Sequence, residues 1–215
     1  ERQAVVLVVR GNGVGKTTTL RAIMGIIRKR TGTMTLDGKD ILRVPLHRIA
    51  RTGLGFVPEE RGIFATLTVH ENLLLPPVVG KGSGAMSLDE IYELFPNLYE
   101  RRNSPGTKLS GGEQQMLAIA RILRTGVKVL LLDEPAAGVP HDEAPKILEA
   151  INRLSSDIAV LMIEHDMDLV FRFAKRVLVL ANGRLIFEGS PEDVTKDDEV
   201  RRAYLGSYAD ASRTA

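Results

Sequence analysis

The sequence predicts an α/β fold with a largely parallel sheet, helices on both faces and a smaller helical lobe. Five short apolar runs, each typical of a buried strand, alternate with segments of helical periodicity. From about residue 66 to residue 125, helical patterns follow one another without a strand between them, and this stretch is the predicted lobe. The strand-like runs cover residues 4–9, 55–57, 129–132, 160–163 and 177–180.

Two further segments predict tight hairpins. Residues 33–40 contain an Asp-Gly pair and residues 181–187 contain an Asn-Gly pair. Such pairs favour two-residue turns, because both central positions need positive φ. The chain therefore combines parallel strands with at least two antiparallel connections.

The composition excludes several classes of protein. With 215 residues, 44% of them hydrophobic, the chain can bury a substantial core in one or two lobes. It has no cysteine, which excludes disulfides and thiolate metal sites. No apolar run approaches the ~20 residues needed to span a bilayer. The net charge of +2 and an aromatic content of 5% argue against nucleic-acid binding.

A glycine-rich segment follows the first predicted strand and opens a helix at about Lys16. It reads Gly13-Val14-Gly15-Lys16-Thr17-Thr18. Backbone N–H groups of such a turn, together with the helix dipole, favour a bound phosphate. In this pattern Lys16 reaches the β- and γ-phosphates, the Thr17 hydroxyl binds Mg²⁺, and Thr18 donates to a phosphate oxygen.

One position departs from the usual phosphate loop. The strict pattern has a glycine six residues before the lysine, whereas this chain has Arg10, with Gly11 one place later. A residue with a β-carbon is strained at positive φ. Either the loop binds nucleotide more weakly, or Gly11 adopts the special dihedral in place of Arg10.

Acidic and imidazole side chains follow three of the predicted strands. Ligands of parallel sheets bind beyond the carboxyl ends of the strands. There Asp133 is expected to hold Mg²⁺ through water and Glu134 to polarise an attacking water. His165 is expected to donate to the γ-phosphate, and Glu59 to supply an oxygen to Mg²⁺ or to the water. The alternative to a metal or catalytic role is that these acids are ordinary solvated side chains at strand ends. For Glu59, considered without the other motifs, that alternative would be favoured.

A second glycine-bearing turn lies far along the chain. The heptad reads Leu109-Ser110-Gly111-Gly112-Glu113-Gln114-Gln115 and starts an apolar-periodic helix. We call the glycine-rich segment at residues 13–18 the first cradle and this helix N-terminus the second cradle, because each is expected to bind phosphate. The N–H groups of the second cradle are expected to point at an anion from another molecule. One nucleotide rarely needs two cradles from one chain. We therefore expect the nucleotide to lie between two copies, with one cradle from each.

In this order the motifs resemble those of ABC transporter ATP-binding subunits, over nearly the whole chain to about Gly189. Several stretches are similar to the ATPases of branched-chain or hydrophobic amino-acid importers, with urea-type importers nearly as similar. These are residues 11–16, 63–73, 91–96, 136–138 and 163–168.

The resemblance implies a P-loop NTPase fold that binds ATP and Mg²⁺. Its nucleotide-binding core would comprise residues 1–65 and 126–190, its helical signature subdomain residues 66–125, and its C-terminal helix and tail residues 191–215. The implied catalytic residues are Glu134, His165 and Glu59, and the implied metal ligands are Thr17, Asp133 and Glu59. The implied nucleotide-binding residues are Asn12, Gly13, Val14, Gly15, Lys16, Thr17 and Thr18, with Ser110, Gly111 and Gly112 acting on the partner's nucleotide.

The chain departs from the family at three further places. Glu59 stands where most members have Gln, and Pro140 stands where the subunit-crossing loop usually ends in Asp or Asn. Family members also begin earlier, with antiparallel strands and an aromatic residue that stacks on adenine. This chain starts at Glu1, directly before its first strand. We therefore expect either a fragment or a chain whose first segment, with the adenine-stacking residue, is absent.

The implied function is ATP hydrolysis that powers an importer of branched-chain or other hydrophobic amino acids. The implied partners are a homologous ATPase subunit, permease subunits on the Glu59 loop and helical lobe and, indirectly, a solute-binding protein, with no nucleic acid. The implied location is peripheral, on the cytoplasmic face of the cell membrane. One alternative is a soluble ABC-type ATPase acting on ribosomes or DNA, although no second cassette, coiled coil or basic insertion is visible. The other is a nucleotide-binding module with weakened hydrolysis, which Arg10 favours and which Glu134 and His165 oppose.

Overall fold

The computed structural model describes residues 5–9, 15–78, 84–181 and 183–205. Arg10 and the predicted phosphate-binding residues Asn12, Gly13 and Val14 lie outside the described residues, as does the side chain of Lys16. The strands, in chain order, are β1 (Val5–Val9), β2 (Thr35–Leu36), β3 (Lys39–Asp40), β4 (Leu54–Val57), β5 (Val129–Asp133), β6 (Ala159–Glu164), β7 (Arg176–Ala181) and β8 (Arg184–Gly189).

Helices separate most of these strands. Short 3₁₀ turns cover Ala50–Thr52 and Gly106–Lys108, and a π-helical turn covers Arg201–Leu205. The α-helices are α1 (Lys16–Ile23), α2 (Leu46–Ile49), α3 (Val69–Leu74), α4 (Leu88–Leu94), α5 (Pro96–Glu100), α6 (Gly111–Leu123), α7 (Ala144–Asn152), α8 (Met167–Phe173), α9 (Pro191–Val194) and α10 (Asp198–Val200). In the part of the chain that the structure describes, no helix is long and apolar enough to cross a membrane.

The main sheet is mostly parallel, as the sequence predicts. In the described chain its order is β4-β5-β6-β1-β7-β8, and only β8 runs antiparallel to its neighbour. Val8 pairs with Glu164 and Asp133 pairs with Ile163, so β1, β5 and β6 end at the same edge. The carboxyl end of β1 is therefore next to that of β6, and β5 ends one strand further away.

Both predicted hairpins are present. Strands β2 and β3 pair antiparallel around Asp37 and Gly38, whose φ angles of 49° and 74° are those of a primed turn. Strands β7 and β8 pair around Gly183, whose φ is 73°. The local turn chemistry is sufficient to place both connections.

The core has one hydrophobic cluster on each face of the sheet. Leu130 and Leu132 point into one cluster and Leu131 into the other, because successive side chains of a strand alternate between faces. Leu20 of α1 packs on the face with Leu131, while Ile147 of α7 packs on the opposite face. Helices thus cover both faces, which explains why these strands are continuously apolar in sequence.

The described residues between β4 and β5 form helices and no strand, apart from one isolated bridge between Thr68 and Pro105. Capping boxes start α3 at Thr68, α4 at Ser87 and α6 at Ser110. Each cap satisfies free backbone N–H groups and contributes about 1 kcal/mol. The predicted core positions of α6 are buried: Leu117, Ile119, Ala120 and Leu123. The division of the chain into subdomains stays a prediction.

The C-terminal segment, for which the sequence predicts a helix and a tail, is helical in several short pieces. In the described residues it forms α9, α10 and a π-helical turn. The break has a local cause, since Ser190 caps α9 and Asp197 accepts hydrogen bonds from the backbone N–H groups of Glu199 and Val200 to start α10. Residues 206–215 lie outside the described chain.

Candidate active site

Asp133 ends β5 at the carboxyl edge of the sheet and is 2% exposed. Burial raises the pKa of this carboxyl above its ordinary value, although a hydrogen bond with the Thr17 side chain acts in the opposite direction. The nearby carboxylates of Glu134 and Glu59 raise the pKa further, while Arg21 lowers it. The structure therefore brings together four of the residues that the sequence predicts for this edge.

The donor set at Asp133 fits a hard divalent cation. Its Oδ1 atom is buried and has no hydrogen-bond partner among the described residues. A buried carboxylate oxygen without a partner is costly. Its carboxylate and the neighbouring Thr17 hydroxyl are oxygen ligands of the kind that Mg²⁺ prefers. A cation here would satisfy the unpaired oxygen and offset the clustered negative charge.

Glu134 occupies a strained turn directly after β5. Its φ is 49°, in the left-handed region, which for a non-glycine residue costs on the order of 1–3 kcal/mol. Two backbone hydrogen bonds hold the turn: the N–H of Glu134 donates to the Ile163 carbonyl at 3.1 Å, and the N–H of Ala137 donates to the Glu134 carbonyl at 2.9 Å. Strain of this kind is held at functional sites when the direction of a side chain matters.

His165 faces the Glu134 carboxylate from the next strand. The His165 Nδ1 atom lies 3.4 Å from Glu134 Oε2, and the two side chains are 59% and 15% exposed. The pair forms because β5 and β6 are adjacent and parallel, so that residues after each strand meet. A carboxylate turned towards the site and an exposed imidazole can together orient a water molecule and a phosphate oxygen.

The first cradle is described from Gly15 onwards. Gly15 precedes α1 with a φ of 98°, where any side chain would be strained. Helix α1 has no acidic residue in its first turn. The free backbone N–H groups of that turn and the helix dipole favour a bound anion, and no carboxylate of the turn repels it. Thr18 is exposed in that turn, and Thr17 is half-buried beside Asp133.

The second cradle is the turn from Ser110 to Gly112. Ser110 caps α6: its hydroxyl accepts from the N–H of Glu113 at 3.1 Å, and its own N–H donates to Glu113 Oε2 at 2.8 Å. Arg101 lies 3.4 Å from the other carboxylate oxygen of Glu113. The start of this helix is therefore rigidly held before any partner approaches.

Glu143, at the start of α7, was not identified from the sequence. Its Oε2 atom accepts from the Ser110 hydroxyl at 3.0 Å and from the Gly112 N–H at 3.1 Å. The expectation that these N–H groups point only at another molecule is therefore wrong for Gly112. The reason is that α7 packs against the start of α6, a contact that no sequence spacing indicates.

The two glycines of this turn lie close to other segments of the chain. A β-carbon on Gly112 would overlap the carboxylate of Glu143. A β-carbon on Gly111 would lie 2.8 Å from the carbonyl oxygen of Gly138. The turn is thus locked between α7 and the loop that follows Glu134.

Glu164, the last residue of β6, is buried, and the nearby His165 only partly offsets the effect of that burial on its pKa. It is 1% exposed, and its Oε1 atom accepts from the N–H of Ala136 at 3.0 Å. Burial raises the pKa of this carboxyl to about 7. Its position at the end of a buried strand could have drawn attention to it in the sequence. A carboxyl buried there must form an ion pair, accept hydrogen bonds or stay protonated.

Glu164→Gln is expected to change how stability depends on pH. The pKa rises from 4.5 to about 7 on folding, so the unfolded chain loses its proton first as pH increases. The stability contributed by the protonated group is complete below pH 4.5 and is lost as pH rises to about 7. The loss should reach about 3 kcal/mol. Urea denaturation should find the variant close to wild type at pH 4.5 and more stable at pH 8.

Glu192→Gln, which makes the same chemical change at an exposed position on α9, is the matched control. Equal pH slopes for the wild type and Glu164→Gln would show that Glu164 is ionised in the folded protein.

Comparison with known proteins identifies the family of the chain. The family model described as ABC transporter matches residues 1–137. The chain belongs to the ABC transporter ATP-binding subunits. A second model, described as branched-chain amino acid ATP-binding cassette transporter, matches residues 184–210. The predicted P-loop NTPase fold, family and ATPase activity are confirmed.

Two curated relatives of this ABC subunit have different names. It is 37% identical over 200 residues to the lipopolysaccharide export system ATP-binding protein LptB of Haemophilus influenzae, covering 91% of this chain and 83% of that protein. It is 35% identical over 204 residues to the high-affinity branched-chain amino acid transport ATP-binding protein BraG of Pseudomonas aeruginosa, covering 94% and 88%. Both similarities support an ATP-hydrolysing transport subunit.

A solved structure of the ATP-binding cassette MJ0796 is also similar. It is described as a dimeric post-hydrolysis state bound to ADP and Pi. Its TM-score is 0.74 at 26% identity, covering 89% of this chain and 86% of that one. ABC cassettes thus form dimers in a structure with this fold.

Proposed function

We propose that this ABC ATPase powers an importer of branched-chain or other hydrophobic amino acids. The supporting observation is the match of residues 184–210, from β8 to beyond the π-helical turn, to the branched-chain cassette model. The similarity to BraG supports the same solute class. The second candidate is lipopolysaccharide export, which the 37% identity to LptB favours.

We propose that each residue at the carboxyl edge has a separate role in hydrolysis. Thr17 and Asp133 would hold Mg²⁺, with Glu59 as an additional oxygen donor near them. The bound ion would neutralise charge on the phosphates. Glu134 accepts a proton from the attacking water, and its left-handed turn directs the carboxylate. His165 orients Glu134 and donates to the γ-phosphate.

We also propose that hydrolysis needs a second subunit, either a copy of this chain or a homologous one. Residues 13–18 of one subunit and the Ser110–Gly112 turn of the other would enclose the ATP. Glu143 supports this arrangement because its carboxylate keeps the turn in a single conformation. A rigid turn loses little entropy when the nucleotide of a partner docks on it.

The proposed contact with the permease is a cleft beside the Glu59 loop. Phe64 and Leu75 line this cleft together with Pro58 and Pro76, and both large apolar side chains are about half exposed. Arg121 stacks over the Phe64 ring at 4.7 Å and donates to the Gly62 carbonyl, so the wall is preformed. The chain would then sit peripherally on the cytoplasmic face of the membrane.

The solute is tested with the complex purified from its native membrane through a tag on this chain. We expect liposomes containing that complex to take up leucine when ATP and the matching solute-binding protein are supplied. A complex that carries Glu134→Gln should give no uptake. ATPase activity stimulated by lipopolysaccharide, without amino-acid uptake, would contradict the importer and favour export.

A further inference from the structure

Arg61 joins three segments that are far apart in the sequence. Its Nη1 atom donates to Gln114 Oε1 at 3.1 Å, in the first turn of α6. Its Nη2 atom donates to the carbonyls of Ala137 and Gly138 at 3.3 and 3.2 Å. One guanidinium therefore connects the Glu59 loop, the helix that Ser110 caps and the loop that follows Glu134.

The surroundings hold Arg61 and its main acceptor in place. Arg61 has a φ of 64°, a left-handed conformation that is uncommon for a side-chain-bearing residue. Its N–H donates to the Pro58 carbonyl at 3.0 Å, which closes the turn. Gln114 is oriented by its Nε2 atom, which donates to the carbonyls of Gly106 and Leu109 at 3.3 Å. The amide oxygen of Gln114 is thereby turned towards Arg61.

Arg61 connects these segments through directional hydrogen bonds and not through an ion pair. Its three acceptors are neutral, and among the described residues no carboxylate forms a salt bridge with it. A planar guanidinium can bond two elements at once, which a lysine ammonium cannot match in direction. Beta-carbons on Gly111 or Gly138 would each lie 3.3 Å from Arg61 Nη2, so the guanidinium fills the gap between both turns.

We infer that Arg61 is a positioning residue for ATP hydrolysis, because through Gln114 it ties the start of α6, which the Ser110–Gly112 turn opens, to the loop that follows Glu134. The turn that faces the partner's nucleotide and the loop beside the chain's own Glu134 then move as one unit. A change in the Glu59 loop is passed to both through the same side chain. This inference rests on the composite site proposed above.

The test separates nucleotide binding by one chain from the assembly of the site. In Arg61→Gln we expect kcat to fall by about tenfold or more, because small displacements of reacting groups have effects of this size. The dissociation constant of a fluorescent ATP analogue for the single chain should stay within about twofold, since that site is built around α1. Arg61→Lys should not restore kcat, because it keeps the charge and loses the fork.

Arg124→Gln is the matched control. Arg124 donates to the carbonyls of Leu73 and Met86, so this variant also removes hydrogen bonds from a half-buried arginine to the backbone. It should lower the melting temperature to a similar extent and leave kcat unchanged. Equal losses of kcat in both variants, or a normal kcat in Arg61→Gln, would overturn the positioning role.

A measurement of dimerisation separates two hypotheses: the positioning role of Arg61 and the composite site between subunits. In a Glu134→Gln background, analytical ultracentrifugation should detect a dimer with ATP, and adding Arg61→Gln should weaken it about tenfold. If Glu134→Gln alone stays monomeric with ATP, the composite site is wrong. If the dimer forms equally well with and without Arg61→Gln, only the positioning role is wrong.

Discussion

Glu134→Gln is expected to lower ATP turnover by at least about 100-fold while ATP binding is retained. The amide has nearly the same shape, so the turn at φ 49° and the contact with His165 remain possible. The amide cannot accept a proton from the attacking water, which is the proposed role of the carboxylate. Steady-state phosphate release measures the turnover, and equilibrium binding of an ATP analogue measures the affinity.

The same variant should accumulate an ATP-bound dimer, because in the proposed composite site hydrolysis would be the step that allows the subunits to separate. Glu149→Gln is the control: it removes an exposed carboxylate of α7 that pairs with Arg172 at 3.2 Å and should hydrolyse ATP normally. Near-normal turnover in Glu134→Gln would exclude the proposed role of Glu134.

Ser110→Arg and Lys16→Ala should each abolish most hydrolysis, and a mixture of the two chains should recover part of it. In a mixed dimer, one site combines the intact Lys16 of the first chain with the intact Ser110 of the second. The other site carries both substitutions. Recovery therefore reaches at most one of the two composite sites in each mixed dimer. Phosphate release at varied mixing ratios measures the recovery.

Ser110→Thr is the control for folding, because threonine can also cap α6 and bond Glu143. It should retain far more activity than Ser110→Arg, and circular dichroism should find all three variants folded. Normal hydrolysis by Ser110→Arg or by Lys16→Ala alone would contradict a site shared between subunits.

Features with local causes could be predicted from the sequence. Apolar runs placed the parallel strands, and the pairs Asp37-Gly38 and Asn182-Gly183 placed the hairpins. Because parallel strands end at one edge, Asp133, Glu134 and His165 could be expected near one another, and the structure brings them together. The order of these motifs was also sufficient to predict the family, which the comparisons confirm.

Only the tertiary structure could identify Glu143 and Arg61 and show that burial raises the pKa of Glu164 to about 7. Arg61 meets Ala137 across 76 positions of sequence, and Ser110 meets Glu143 across 33. Such contacts depend on which strands are neighbours and on how α6 and α7 pack, and no periodicity or spacing encodes either. The burial of Glu164 likewise depends on the helices that cover β6. A sequence pattern reports what a segment does by itself, whereas these side chains act through neighbours that only the folded chain supplies.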